Sequence, residues 1–553
     1  MKRVKSDSNV QITCLIISSL LLMILVVLPL ITLFAKAFVG YDGNFAGLSN
    51  FIKYFTTPNL TNSLFNTIFI STSTAIISVL LAFLYAYAIT RTEVKCKRMF
   101  KFTSMLPLFA PTMMLGIGLI YLFGNQGIFT QMGIKLPLYG PLGIIISEII
   151  YTFPQTFLVL LVSFSYADNR LYEVAEVMGT SPIKTFFTIT LPSVKYGLIS
   201  SIFIAFSLSF TDFGAPKVIG GNYNVLATDI YKRVIGQQDF IMGAVVGIIL
   251  MLPAILSFTV DRLTQSKNHS MASSKSIDYK IKPNKCRDVV FTVYCTVINL
   301  LIFTLLGTVA FASVVKLWPY DKNLTLMHYF TDSPAIGGIS SFCNSLIIAS
   351  LTAVIGTTFV FINAYLVEKT RRAEALKQVV YFLSILPIAL PGLAIGISYI
   401  FFFNAEQNPL NMIYGSVWIL LLANLIHFYS VPFVTATSYL KKLDKEFEIV
   451  SESMKVPFYK TFYKITVPMC LPGILEIAVY LFVNAMVTIS AVIFLYPAQF
   501  KLAAIAIVNL EDAGDIAPAA AISVLIILTN VIVRVLYELI NKKITNSNRL
   551  CHV

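Results

Sequence analysis

Charged residues, histidines and tryptophans are scarce in this 553-residue sequence. Only 12% of the residues are Asp, Glu, Lys or Arg, whereas a soluble globular chain carries about 25%. Hydrophobic residues make up 57% of the chain, and the mean hydropathy is +0.79. This composition excludes a secreted domain, a cytosolic enzyme and a disordered protein. It predicts a chain that lies mostly within a lipid bilayer.

The sequence also lacks the motifs of catalysis and metal binding. Its seven cysteines form no C-x-x-C pair and its four histidines are scattered, which predicts free thiols and no metal site. There is no P-loop G-x-x-x-x-G-K-[ST] and no G-x-S-x-G serine elbow. We therefore expect no catalytic residue, no bound cofactor and no ATP hydrolysis by this chain.

Long apolar runs dominate the rest of the sequence. A spanning helix needs about 20 apolar residues, and twelve stretches reach roughly that length. The first run is too long for a signal peptide, whose apolar region has about 7–15 residues, so we expect a retained helix. The sequence predicts an all-α polytopic membrane protein with about 12 transmembrane helices. The stretches cover residues 12–39, 63–89, 102–123, 141–165, 196–219, 240–260, 289–315, 342–366, 377–403, 414–437, 471–496 and 516–540.

The net charge of +14 is distributed unevenly between the two sides of these helices. Of the 41 Lys and Arg residues, 31 fall in segments on the side of the N-terminus and eight on the other side. Cytoplasmic loops of membrane proteins collect positive charge. We therefore predict a multi-pass protein of the plasma or inner membrane with both termini in the cytoplasm, and no nucleic-acid partner.

The two sets of six helices repeat each other. The stretch from Ser63 resembles that from Ser341, with Asn66 matching Asn344 at an offset of 278. Repeats with six spans each share one orientation, so an axis along the membrane normal should relate them, with a pathway between them. We predict a first permease domain at 1–261, a cytoplasmic linker at 262–288 and a second permease domain at 289–553.

One polar loop occurs in both halves, between the fourth and fifth helix. Loop A (168–192) and loop B (444–468) each predict a short helix, a break and an amphipathic helix that ends at a proline. Their last parts, KTFFTITLP and KTFYKITVP, match at an offset of 276. In loop A, Val174, Val177 and Met178 form an apolar stripe suited to a groove on a partner.

Loop A resembles the "EAA" loop of type-I permeases of ATP-binding-cassette importers. The resemblance covers essentially the whole chain, as a fusion of two permease domains. In loop B, Ile449 replaces the glutamate and Glu448 is displaced by one position. The residues that the resemblance implies for coupling to the ATPase are Glu173, Ala175, Gly179 and Pro192 in loop A, and Glu448, Ser451, Lys455 and Pro468 in loop B.

The resemblance implies partners and a substrate class. Two ATPase subunits would dock on the loops and consume the ATP, and an extracytoplasmic binding protein would deliver the solute. Segments 211–240, 482–497 and 509–521 look like those of fused permeases for 2-aminoethylphosphonate, which is the expected substrate. Permeases for ferric iron and thiamine are similar fused relatives and remain alternatives.

Two acidic residues within the spans are candidates for the substrate pathway. Charged groups in spans are costly and often functional. Asp212 lies before Phe213-Gly214 in a helix that follows loop A, where it could meet an ammonium group, and Glu148 lies in the fourth helix. Alternatively, Asp212 is an interfacial acid that faces water, or it caps a helix break at Gly214. Glu476 and His427 look more like hydrogen-bonding partners between helices.

Two other protein classes fit the sequence less well. An ion-coupled secondary transporter could also have twelve spans in two sets of six. However, the loop between helices 2 and 3 lacks the glycine–aspartate signature expected there, and the large loops lie between helices 4–5 and 10–11. A membrane-embedded enzyme would need a nucleophile or metal set, which the sequence lacks.

Overall fold

The computed structural model describes residues 2–271, 279–333, 336–370, 372–444 and 446–550, and the chain is helical almost throughout. Residues 272–278 of the predicted linker lie outside the described residues. Two small antiparallel hairpins connect the first and second long helices of the second half. They are formed by β1 (Val315–Leu317) with β2 (Asp321–Leu324), and by β3 (Asp332–Ser333) with β4 (Gly337–Gly338).

The first half contains fourteen α-helices among the described residues. Short π-helical segments join α1 to α2, α10 to α11 and α13 to α14. The helices are α1 (Lys2–Leu22), α2 (Leu28–Ala37), α3 (Ser49–Thr56), α4 (Pro58–Arg91), α5 (Lys97–Ser104), α6 (Thr112–Phe123), α7 (Ile128–Gln131), α8 (Pro141–Ser165), α9 (Asn169–Val177), α10 (Pro182–Thr185), α11 (Leu191–Thr211), α12 (Gly214–Ile219), α13 (Leu226–Tyr231) and α14 (Phe240–Met271).

The second half repeats this order of long and short helices. A π-helical segment again lies between the short helix of the polar loop and the helix that follows. The helices are α15 (Lys285–Val314), α16 (Ile339–Lys369), α17 (Glu374–Ile385), α18 (Gly392–Phe403), α19 (Val417–His427), α20 (Ser430–Lys442), α21 (Glu446–Ser453), α22 (Phe458–Thr461), α23 (Val467–Met469), α24 (Leu471–Val487), α25 (Ala503–Asp512) and α26 (Ile516–Leu550).

The predicted all-α polytopic architecture is confirmed. Within the described residues, nine helices are long and apolar enough to cross a membrane, and the number rises to twelve if each of three bent pairs is one span. The bends are 114° between α17 and α18, 57° between α19 and α20, and 76° before α24. The twelve apolar stretches of the sequence therefore correspond to twelve spans only if bent spans are allowed.

Two predicted helices are shorter than their apolar stretches. The fifth, expected over 196–219, ends at Thr211, and the short helix α12 begins only at Gly214. The eleventh, expected over 471–496, ends at Val487, and a buried run of turns follows. At both ends the next residue, Asp212 or Thr488, takes an extended backbone conformation. Hydrophobicity does not reveal such breaks, because the chain remains apolar beyond them.

Prolines explain three further interruptions. The third and ninth spans are both broken where a 3₁₀ turn precedes a proline, at Pro111 and at Pro391. Loop B is followed by a sharp bend, whereas loop A continues into a single span from Pro182 to Thr211. Pro472 stands where the first half has Tyr196, and proline disfavours a helical conformation in the residue before it.

The first long helix of each half packs against the other half. Helix α2 lies against α18, and α15 lies against α6 and α5. Hydrogen bonds join the halves at two further crossings: between α1 and α16 the Ser18 hydroxyl donates to Asn363 Oδ1 at 2.6 Å, and between α15 and α4 Asn299 Nδ2 donates to the Tyr85 hydroxyl at 2.7 Å. Residues of both halves therefore share one large apolar core.

Candidate functional site: two repeated loops and a central cavity

Loop A forms the predicted short helix and break, but the helix expected to end at Pro192 continues to Thr211. Asp168 caps α9, its carboxylate accepting from the Arg170 N–H at 3.1 Å. The helix ends at Gly179, whose φ of +63° is in the left-handed region that favours glycine. The Thr180 N–H and hydroxyl both donate to the Ala175 carbonyl, at 3.0 and 2.8 Å. The turn between the two short helices is thereby closed.

The apolar stripe of loop A has no partner within the described chain. Val177 is 89% exposed and Met178 is 73% exposed, and Val174 on the same stripe is also exposed. Exposed apolar side chains that are clustered on one helix mark a surface for another molecule. The Glu173 carboxylate accepts from Asn169 Nδ2 at 2.7 Å, so it stabilises the helix from its own surface.

Loop B has the same backbone, although its sequence departs from the motif. Lys455 stands at the position of Gly179 and adopts the same left-handed conformation, with a φ of +55°. The Val456 N–H donates to the Ser451 carbonyl at 2.9 Å, as Thr180 does to Ala175 in loop A. Met454, which matches Met178, is 71% exposed. The two loops thus present similar apolar surfaces at equivalent places.

The substitution of Ser451 for Ala175 is accommodated by a hydrogen bond. Both residues are buried under the loop. The Ser451 hydroxyl meets the hydroxyl of Thr461, which corresponds to Thr185 of loop A. A buried hydroxyl without a partner would destabilise the loop, and this contact satisfies it.

Glu448 has a role that the sequence comparison did not indicate. At the offset of 276 it replaces Tyr172, and Ile449 replaces Glu173. Its carboxylate forms an ion pair with the Lys369 ammonium group at 2.8 Å, and both side chains are largely buried. Glu448 therefore attaches loop B to the end of α16, and it does not correspond in position to Glu173.

Arg91 is the equivalent anchor of loop A, and sequence reasoning missed both anchors. Arg91 is 3% exposed, donates to the Phe164 carbonyl at 3.0 Å and lies over the Tyr172 ring at 5.5 Å. Arg91 and Lys369 occupy matching positions at the offset of 278, each followed by a threonine. This repeated basic–Thr pair at the end of an apolar run was the available signal.

Pro192 and Pro468 each follow a π-helical turn. The turns cover Phe186–Thr190 and Phe462–Thr466, which are equivalent segments of the two loops. In each, the backbone N–H after the turn donates to a carbonyl five residues earlier. Proline cannot donate and crowds the carbonyl four residues before it, so a wider turn is the local solution.

A cavity of about 500 Å³ lies between the two halves. Equivalent residues of both halves line it, since Thr112 faces it with Gly392, Tyr151 with His427, and Asp212 with Thr488. The cavity also extends along Phe203 and Phe258 toward the end of the bundle that carries loops A and B, which we call the loop face. A cavity lined by equivalent residues of two repeats is the arrangement expected for a pathway.

Two of the sequence-based hypotheses for Asp212 fit its geometry. Its Oδ2 accepts from the Ala215 N–H at 2.9 Å, which caps α12 across the break. The same residue lines the cavity at the end away from the loop face. Among the described residues that line the cavity there is no Lys or Arg, and the acidic side chain is that of Asp212.

Glu148 lies behind this cavity wall and does not line the cavity. It is fully buried, and neither carboxylate oxygen has a hydrogen-bond partner in the described part of the chain, although Asp212 and Ser209 lie beside it. Asn424 occupies the equivalent place in the second half and is likewise buried. Glu476 accepts from the Tyr439 hydroxyl at 3.0 Å, which fits the predicted contact between helices.

An ion pair joins the halves at the end opposite the loop face, which we call the far face. The Lys217 ammonium group meets the Asp512 carboxylate at 2.6 Å. Burial, followed by the charge of Asp512, raises the pKa of the neighbouring Glu511 to about 7. Lys217 lies in α12 and Asp512 in α25. Neither residue lines the cavity, so this contact lies beyond its far end.

Comparison with known proteins gives three relatives that cover most of this chain. The ferric transport system permease protein FbpB of Actinobacillus pleuropneumoniae is 28% identical over 93% of this chain and 76% of its own length. A putative ferric permease of Haemophilus influenzae is 28% identical over 88% of this chain and 79% of its own. A second Haemophilus influenzae ferric permease is 24% identical over 92% of this chain and 95% of its own.

These three names do not support the expected 2-aminoethylphosphonate, and they favour the ferric alternative. The family described as "binding-protein-dependent transport system inner membrane component" matches twice, at residues 91–268 and 364–546. Its members depend on a binding protein, which argues against an ion-coupled secondary transporter and a membrane-embedded enzyme. The chain is a multi-pass membrane protein that belongs to this family of importer permeases.

Proposed function

We propose that this chain forms the whole membrane pathway of an ATP-binding-cassette importer. Two ATPase subunits dock on loops A and B, and a binding protein delivers the solute at the far face. The single observation that carries this proposal is the repeated construction of the two loops. Each presents an exposed apolar surface, with Met178 or Met454 at its end, on a short helix anchored by a buried cation.

The loops are built to transmit movement. Each short helix is attached to the bundle through Arg91 or Lys369, and each leads through a π-helical turn into a helix that lines the cavity. A displacement of both loops by the ATPases would therefore reach the cavity walls directly. Such coupling requires that the nucleotide state favours one of two arrangements of the halves.

We propose ferric iron as the transported solute. The support is the printed function of the three relatives, together with the Asp212 carboxylate in the cavity. Carboxylate and phenol oxygens of the lining suit a hard cation, and the described residues contain no cluster of three His, Cys, Asp or Glu that would trap it. A phosphonate would need cationic partners, and the described lining has no Lys or Arg.

The test is transport by the full chain reconstituted in proteoliposomes with its ATPase and binding protein. ATP hydrolysis and uptake are measured with the binding protein loaded with ferric iron, 2-aminoethylphosphonate or thiamine. We expect stimulation and uptake with ferric iron only. Asp212→Asn should lower iron uptake by about tenfold, because it removes the charge from the pathway while it keeps a cap for α12.

Matched variants separate the parts of the proposal. Thr488→Val, at the equivalent wall position, should leave uptake near the wild-type rate. If only 2-aminoethylphosphonate stimulates hydrolysis and uptake, ferric iron is not the substrate, but the proposal of an importer stands. If a proton-gradient uncoupler stops uptake while ATP is held constant, the ATP-driven mechanism is wrong.

A further inference from the structure

The end of the linker between the two halves crosses the short helix of loop A. The residues concerned, 279–282, are called the strap, and they lie just before α15. The Tyr279 ring stacks edge-to-face on Tyr172 with a centroid distance of 4.7 Å. The Lys280 N–H donates to Asn169 Oδ1 at 3.0 Å, and the Lys282 ammonium group pairs with Glu176. Three successive parts of the strap therefore contact α9.

Tyr279 also completes the enclosure of Arg91. The guanidinium carbon lies 4.2 Å from the Tyr279 ring centroid, closer than to Tyr172 at 5.5 Å or Phe164 at 5.4 Å. A desolvated guanidinium among aromatic faces is held more strongly than one in water. Burial also raises the pKa of the Tyr279 hydroxyl, so the ring stays neutral at physiological pH.

Loop B is anchored without a strap in the described chain. Lys369 pairs directly with Glu448, which stands in the place of Tyr172. The buried cation is thus paired with a carboxylate in loop B and enclosed by aromatic rings in loop A. The anchor of loop B is complete within the second half of the chain, whereas the anchor of loop A needs the Tyr279 ring from the linker.

We propose that Tyr279 is a positioning residue for the coupling helix α9, and that the linker thereby sets how tightly loop A transmits movement. This inference rests on the proposed function of the loops. Tyr279 acts through Arg91, the last residue of α4, and through Tyr172 of α9, because its ring contacts both. Without the ring, α9 keeps its apolar surface for the ATPase but loses its rigid attachment to the bundle.

The first test is hydrogen exchange of the full permease alone, in lipid nanodiscs. Tyr279→Ala should speed exchange of the α9 amides by about tenfold, because the cation–π and ring contacts that hold the helix are lost. The α21 amides should be unchanged. Tyr279→Phe keeps the aromatic face and should match the wild type. Lys369→Met should show the reverse pattern: exchange of the α21 amides becomes faster, and exchange of the α9 amides is unchanged.

The second test measures solute transported per ATP hydrolysed by the complete transporter. Tyr279→Ala should lower this ratio about fivefold while hydrolysis continues, and Tyr279→Phe should restore it. Lys282→Glu should lower it at most about twofold, since that pair is exposed, and the Glu176→Lys/Lys282→Glu double variant should recover it.

The outcomes distinguish this inference from the proposed function. If Tyr279→Ala exchanges and couples like the wild type, the positioning role is wrong, whatever the transporter carries. If Tyr279→Phe behaves like Tyr279→Ala, the hydroxyl and not the ring is responsible, which also overturns the proposal. If the wild-type chain shows no hydrolysis with any ATPase, the proposed function fails, and the hydrogen-exchange result still decides the role of Tyr279.

Discussion

Loops A and B have nearly the same backbone but are held to the bundle by different chemistry. In loop A, aromatic rings from the loop and the linker surround Arg91. In loop B, a carboxylate neutralises Lys369 directly. The comparison teaches that the fold preserves a buried cation at the end of the second long helix, and that the partner of this cation is free to change.

The largest expected effect is on docking of the ATPases. Met178→Glu and Met454→Glu each place a charge in the exposed apolar surface of one loop. Burying an unpaired charge against a partner should cost at least about 3 kcal/mol of binding free energy, or roughly 100-fold in affinity. The measurement is the affinity of the purified permease for the ATPase subunit. If only Met178→Glu weakens binding, loop B does not dock as loop A does.

The next effect concerns the two buried anchors. Lys369→Met leaves Glu448 without its partner and should lower the free energy of unfolding by about 3 kcal/mol, whereas Arg91→Met should cost about 2 kcal/mol. Thermal unfolding in nanodiscs reports both losses. Adding Glu448→Gln should recover part of the Lys369→Met loss, because the unpaired charge is removed. If Lys369→Met and Arg91→Met lower the free energy of unfolding equally, and Glu448→Gln recovers none of the Lys369→Met loss, the ion-pair account of loop B is wrong.

A smaller effect is expected at the left-handed position of each loop. Gly179→Lys should cost about 1 kcal/mol, and Lys455→Gly should be neutral or slightly stabilising, because a side chain is disfavoured at positive φ. A Cβ at Gly179 would meet no atom within 4 Å, so steric clash adds nothing. Unfolding curves of the paired variants measure this. A loss well above 2 kcal/mol for Gly179→Lys would show that the loops are not equivalent there.

The smallest effect concerns the contact between the halves at the far face. We call the arrangement with the Lys217–Asp512 contact closed. The pKa of Glu511 is raised to about 7 there, so the closed arrangement favours the neutral form of this carboxyl group. The closed arrangement therefore loses stability as pH rises from the ordinary carboxyl range through about 7. Spin labels at Asn222→Cys and Ala513→Cys, with the exposed native cysteines replaced, should show a larger open population at pH 8 than at pH 5.5.

Two variants check this pH effect. Glu511→Gln should remove most of the dependence on pH, because the titrating group is gone. Asp512→Asn should increase opening at both pH values by less than about fivefold, since the Lys217–Asp512 pair is partly exposed. A pH dependence that persists in Glu511→Gln would assign the titration to another group.

The sequence was informative where one physical effect dominates. The apolar stretch 141–165 coincides with α8, because length and hydropathy alone define a span. The exposed stripe with Val177 and Met178 was predicted from helical periodicity, and the structure leaves it uncovered within the described chain. The break at Thr488 was missed and the break after Asp212 was only an alternative, because such breaks arise from a backbone cap and from packing within an apolar run.

Contacts between distant segments could not be predicted from one sequence. Arg91 contacts Tyr172 and Tyr279, and nothing local to Arg91 indicates either ring. In the sequence of the two loops Glu448 looks like a displaced motif residue, because its partner lies outside both loops. Its actual role follows from Lys369, which lies 79 positions earlier in the chain.

The covalent fusion of the two halves has a consequence for how this protein can vary. In a permease made of two identical copies, every mutation appears on both sides of the pathway. Here a single mutation alters one side only, so the cavity can have Asp212 in one half and Thr488 in the other, and Gly179 can coexist with Lys455. A change that would be harmful in duplicate can therefore persist in one half and give the pathway two chemically distinct walls.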